Sequence, residues 1–155
     1  MGDLPAVGLR LHDPRLPGWG FPRWGSAAAA GLDLHACLDA PLDLAPQAAA
    51  LLIPAGFSLL IRDPGWCGLV FPRSGRGHRD GLVLGNGTGV IDADYEGPLM
   101  ISAWNRGAVP VRIEPGERIA QLVFTRIARP ELTLLDADDT PPSARGGGGF
   151  GSSGR

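Results

Sequence analysis

The sequence predicts an all-β domain, a jelly-roll-like barrel or sandwich with little helix. Three observations lead there. The apolar runs are short, rich in Val, Ile, Leu and Phe, and bounded by turn residues. No stretch of about ten residues keeps a 3.6-residue apolar period without Pro or Gly inside it. The 24 Gly and 15 Pro of the 155 residues punctuate these runs over most of the chain instead of collecting in one tract.

Taken in order, strands are expected at 7–11, 48–53, 57–61, 67–71, 82–84, 99–104, 109–113, 119–125 and 132–135. The segment 27–30 is helical by propensity alone but too short to stand without packing, so it reads as strand or loop. From Asp136 onward the chain turns acidic, then proline- and glycine-rich, with Phe150 its only large apolar residue. By composition this tail cannot bury enough surface to fold alone, and it reads as disordered; the sharper reading is an arm that orders over a ligand.

A chain of this length is one domain that buries about two-thirds of its unfolded surface. Its net charge of -2 excludes a sequence-wide positive field for duplex nucleic acid. All 14 basic residues are Arg, which reads first as genome composition. Cys37 and Cys67 have no metal-ligand spacing and read as small buried hydrophobes. No leader-like start and no run of about 18 apolar residues occurs, so no membrane partner and a reducing cytoplasm are expected.

Three segments carry candidate chemistry. Phe71-Pro72-Arg73-Ser74-Gly75-Arg76-Gly77 follows an apolar strand and offers guanidinium forks, a hydroxyl and backbone N–H donors, a set suited to polyphosphate. Alone, it reads first as a surface turn with solvated arginines. Gly85 to Gly97 crowds Asn86, Asp92, Asp94 and the chain's single Tyr into one stretch. Strand alternation would put Asp92 and Asp94 on one side, where a carboxylate can serve as general base toward water. Its plainer reading is a hairpin stabilised by Asn and Asp. Gly116 to Leu122 feeds a buried-looking strand that nevertheless carries Gln121, which must find partners in the core or bind ligand.

The order of these segments resembles the trimeric dUTPase family, in its bacterial branch, over about residues 26–155. The five motifs are AGLDL at 30–34, PRSG at 72–75, GNGTGVIDADYEG at 85–97, GERIAQ at 116–121 and RGGGGFGSSG at 145–154, with MISAWNRG at 100–107 close to the bacterial form. The resemblance implies a distorted barrel over 1–135 and a C-terminal arm over 136–155. It implies hydrolysis of dUTP to dUMP and pyrophosphate, with Asp92 as general base. Tyr95 would pack under the deoxyribose. Asn86 and the backbone of Gly89, Val90, Ile91 and Asp92 would read the uracil edge. Arg73, Ser74, Gly75 and Gln121 would cradle the phosphates, Met100 would line the site, Arg145 would reach the γ-phosphate and Phe150 would stack over the base.

The same resemblance implies Mg²⁺ held by the triphosphate and waters with no direct protein ligand, Asp33 being structural or indirectly metal-linked. His12, His35 and His78 have no ligand spacing. It also implies a homotrimer with active sites shared between subunits. The segment 18–34 is longer and richer in Trp than the matching bacterial segment. Two further readings remain beside this one: dCTP deaminase on the same fold, and a dUTPase-fold nucleotide-binding interaction module.

Overall fold

A computed structural model of the chain describes residues 5–136. Among them the strands are β1 Gly8–Leu11, β2 Leu32–His35, β3 Leu42–Leu44, β4 Leu51–Leu60, β5 Trp66–Pro72, β6 Leu82–Leu84, β7 Gly89–Ile91, β8 Pro98–Asn105, β9 Val111–Ile113 and β10 Arg118–Arg126. Among the described residues the helical elements are a 3-10 turn at Leu16–Trp19 and a π turn at Arg76–Asp80, the latter entered through helical residues 74 and 75. The strands form two four-stranded antiparallel sheets, β1-β4-β8-β6 and β2-β10-β5-β7, and a small pair, β3-β9. The all-β expectation holds.

The core lies between the sheets. Along β8 the inward residues Leu99, Ile101, Ala103 and Asn105 alternate with outward ones, the period-2 pattern of a half-buried strand. In β10 the register shifts between Arg118 and Ala120, and this bulge puts both Ile119 and Ala120 inside. Phe57 is fully buried against Phe21, 4.6 Å between ring centroids. Buried Asn105 is satisfied, its Nδ2 donating to the Leu44 and Val109 carbonyls at 2.9 and 2.7 Å and its Oδ1 accepting from Gly107 N–H at 2.8 Å.

Several expectations need correction. The runs 48–53 and 57–61 are one strand, β4, which crosses Pro54 and Gly56 by a register shift against β8. Segment 132–135 forms no strand: Leu132 and Leu134 are almost wholly exposed and no ladder reaches them among the described residues. β2, β3 and β7 are strands of three or four residues whose Gly, Asp or His content hid them from a pattern of apolar runs. The stretch 85–97 is no hairpin, because β6 joins one sheet and β7 the other, and residues 85–88 cross between them. Cys37 is half-buried, not buried.

The Trp-rich segment finds its place here. Trp19 stacks on His35 at 6.1 Å, and the His35 Nδ1–Gly116 carbonyl contact at 2.8 Å ties this layer to the turn before β10. Nearby, Arg15 grips Asp13 through Nε and Nη2 and holds its carboxyl down at about 2. Its stabilising contribution is therefore present above the ordinary carboxylate range and lost as pH falls toward 2. Burial, and then the Asp13 charge, push the Cys37 thiol up to about 12, which keeps it protonated and unreactive.

Candidate functional site

Most of the sequence-predicted residues line one or other of two depressions that have no lining residue in common. The first, a cleft of about 340 Å³, is lined by Arg73, Ser74, Gly75, Arg76, Arg79, Glu117 and Arg118. It opens where β5 ends at Pro72 and meets the turn entering β10. The second, about 180 Å³, is lined by Val90, Ile91, Asp92, Tyr95, Pro98, Leu99 and Met100, where β7 turns toward β8.

The first cleft is built on Asp33. This carboxylate on β2 is buried and takes a guanidinium at each oxygen, Arg73 Nε at 3.1 Å on Oδ1 and Arg118 Nη1 at 3.0 Å on Oδ2. Arg73 Nη1 donates in turn to the Arg118 carbonyl at 3.2 Å. Two guanidinium groups that would otherwise repel each other are thus held side by side, their remaining donors free for an oxyanion. Gln121 lies opposite both Asp33 and Phe71 in the sheet and donates from Nε2 to the Pro72 carbonyl at 3.0 Å, bracing the strand end that carries Arg73. It is partly, not fully, buried, and it does not line the cleft. Gly31 is what admits it, because a Cβ there would collide with Gln121 Oε1.

Asp92 follows the last residue of β7, and its carbonyl accepts from Tyr95 N–H at 3.2 Å, closing a turn around buried Ala93. That turn corrects the alternation argument. Asp92 faces the second depression, whereas Asp94 lines a separate hollow with Arg62, Glu96 and Arg129. The Tyr95 ring is fixed by its hydroxyl, which donates to the Pro98 carbonyl at 3.0 Å, and it lies against Gly97. A Cβ at Gly97 would fall 2.5 Å from the Tyr95 hydroxyl oxygen. Asn86 and Gly89 flank this depression without lining it. Arg145 and Phe150 lie outside the described residues.

The distance between the two halves matters. Ile91 lies opposite Gly68 in the β5–β7 ladder, and Arg73 is five residues further along β5. At about 3.3 Å per residue, roughly 16 Å of strand separates the Asp92 end from the Arg73 end.

Arg76 stood in the 71–77 segment and Glu117 and Arg118 in GERIAQ, but none of these, nor Arg79, was given a site role from the sequence. An exposed run of arginines reads as solvated until the fold brings residues 73–79 beside 117–118. For a metal, the described residues offer no group of three His, Cys, Asp or Glu side chains. The carboxylates at the cleft, Asp33 and Glu117, already face arginines. Such a donor set fits a cation carried in on a polyphosphate and not one caged by protein.

The dUTPase family model matches residues 19–154. The deoxyuridine 5'-triphosphate nucleotidohydrolase of Xanthomonas campestris pv. campestris (strain B100) is 53% identical over 147 residues, covering 94% of this chain and 95% of that protein. The Staphylococcus bacteriophage 80alpha dUTPase with dUPNHPP superimposes with a TM-score of 0.82 at 29% identity, over 97% of this chain and 99% of the other. A mutant dUTPase from phage phi11 of S. aureus, described with a coordinated structural Mg(II) ion, shares the fold at a TM-score of 0.73 and 24% identity, over 87% and 99% of the two chains.

Proposed function

Because this chain belongs to the dUTPase family, a dUTP diphosphatase by the names of its relatives, we propose that it cuts dUTP with water activated at Asp92, in sites shared between subunits of a trimer. The observation that carries the shared site is the roughly 16 Å between the Asp92 and Arg73 ends of the β5–β7 ladder. A second copy supplies the missing half: the Arg73 cleft of one subunit faces the Asp92 depression of its neighbour.

In such a site the Asp92 carboxylate takes a proton from water as the water oxygen bonds to the α-phosphorus. The bond to the α,β-bridging oxygen breaks, and pyrophosphate leaves. Arg73 and Arg118, oriented by Asp33, hold the phosphates, with the Ser74 hydroxyl and the backbone around Gly75 beside them. A Mg²⁺ ion arriving with the triphosphate would supply charge neutralisation at the phosphates, with no direct protein ligand implied. Tyr95, pinned to Pro98, leaves no room for a 2′-hydroxyl. Asn86 and the backbone of residues 89–92 read the uracil edge. Arg145 and Phe150, outside the described residues, are the candidates for the γ-phosphate and the base on the motif resemblance alone.

The test separates this activity from its cousins. Pyrophosphate is released from dUTP but not from UTP, dTTP or dCTP, and release stops on chelation; ammonia from dCTP would instead make the chain a deaminase. Absence of turnover by an intact trimer would leave a nucleotide-binding interaction module. Within the same assay, Gly97→Ala displaces the Tyr95 ring, and the preference for dUTP over UTP falls by about ten- to a hundredfold. An unchanged ratio would mean that Tyr95 is not the sugar gate.

A further inference from the structure

The arginine that follows the PRSG turn points its charge inward. Arg76 opens the π turn, and its guanidinium reaches three parts of the chain. Nη1 donates to Asp80 Oδ2 at 2.8 Å, Nη2 donates to the Arg112 carbonyl on β9 at 2.9 Å, and Nε lies 3.0 Å from Glu117 Oε1. That last contact is out of line for a hydrogen bond, so its attraction is Coulombic. The other Glu117 oxygen accepts the Glu114 N–H at 3.0 Å and closes the turn that leads into Arg118. Both side chains are largely shielded, 22% and 27% exposed, so the pair is screened less than a surface ion pair.

Two consequences follow from these contacts. Arg76 ties the wall carrying Arg73, Ser74 and Gly75 to the wall carrying Arg118, and the Gly77 N–H donating to the Arg73 carbonyl at 2.8 Å passes that restraint back along the turn. Arg76, shared with Asp80, also offsets part of the charge of Glu117, a carboxylate that lines the same cleft and, left bare, would repel a triphosphate. Arg73 and Arg118 cannot take over that task, because both are held by Asp33.

We propose that Arg76 is a positioning residue for triphosphate binding, which fixes the 72–75 turn against the 114–118 turn and offsets part of the charge of Glu117. The proposal rests on the reading of this cleft as the phosphate half-site. Arg76→Met raises the KM for dUTP by about tenfold and lowers kcat less, while inhibition by dUMP, with a single phosphate, changes by less than about twofold. The double variant Arg76→Met, Glu117→Gln recovers most of the lost affinity, since the uncovered carboxylate is gone. Should Arg76→Met not fold, Arg76→Lys, which keeps the charge without the fork, is read the same way with a smaller KM rise. Equal losses for dUTP and dUMP, or no recovery in the double variant, would overturn the proposal. Arg73→Met is the reference. If it lowers dUTP affinity selectively and the Arg76 variants do not, the Arg76 proposal falls alone; if Arg73→Met is also without selective effect, the phosphate half-site falls with it.

Discussion

Asp92→Asn lowers kcat for dUTP on the order of 10²- to 10⁴-fold while KM stays close to that of the parent enzyme. The Asp92 side chain is exposed in the β7–β8 depression, and the turn it begins is held by its backbone carbonyl on Tyr95 N–H. The amide is nearly isosteric and leaves that hydrogen bond alone, so the loss is chemical and not structural. It also leaves the arginine cleft untouched, which is why ground-state binding survives. Steady-state rates beside a binding titration with dUTP decide the matter. A fall in kcat smaller than tenfold would remove Asp92 as general base, and a parallel loss of binding would make it a substrate contact instead.

Two inactive variants regain activity when their subunits mix. Arg73→Met spoils the phosphate cleft and leaves Asp92 intact, whereas Asp92→Asn does the reverse. In a site shared between neighbouring subunits, an intact cleft meets an intact depression in about a quarter of the sites formed by random mixing in equal amounts. Co-refolding the two variants therefore raises activity from near zero to about 25% of the parent enzyme. If each chain carried a whole site, the mixture would be no better than the average of its parts. The outcome depends on the ladder geometry, since a single chain sets Asp92 and Arg73 at opposite ends of the β5–β7 pairing.

Local features were the legible part. The alternation along β8 and the turn residues around β5, β6 and β10 located most strands, because side-chain period and turn chemistry are properties of neighbours in sequence. The strands missed, β2, β3 and β7, are too short to show a period. The 132–135 run misled for the same reason in reverse: its leucines have strand composition but no partner among the described residues. At the site, Arg73, Ser74, Asp92 and Tyr95 could be singled out because each stands in a compact motif. Arg118 and Arg76 stand in motifs as well, but their roles could not be read there, since these lie in Asp33 and Glu117, 85 and 41 positions away.

The sequence by itself determined the all-β class and the inventory of chemical groups. Both depend on residue type and near-neighbour spacing, which survive without knowledge of the fold. Only the tertiary structure decided that β6 and β7 belong to different sheets, that Asp33 anchors two arginines, that Arg76 faces Glu117, and that Asp92 and Arg73 stand at opposite ends of the β5–β7 pairing. Those are long-range pairings. Their register is settled by burying both sheet faces at once, and no local stretch of chain encodes that by itself.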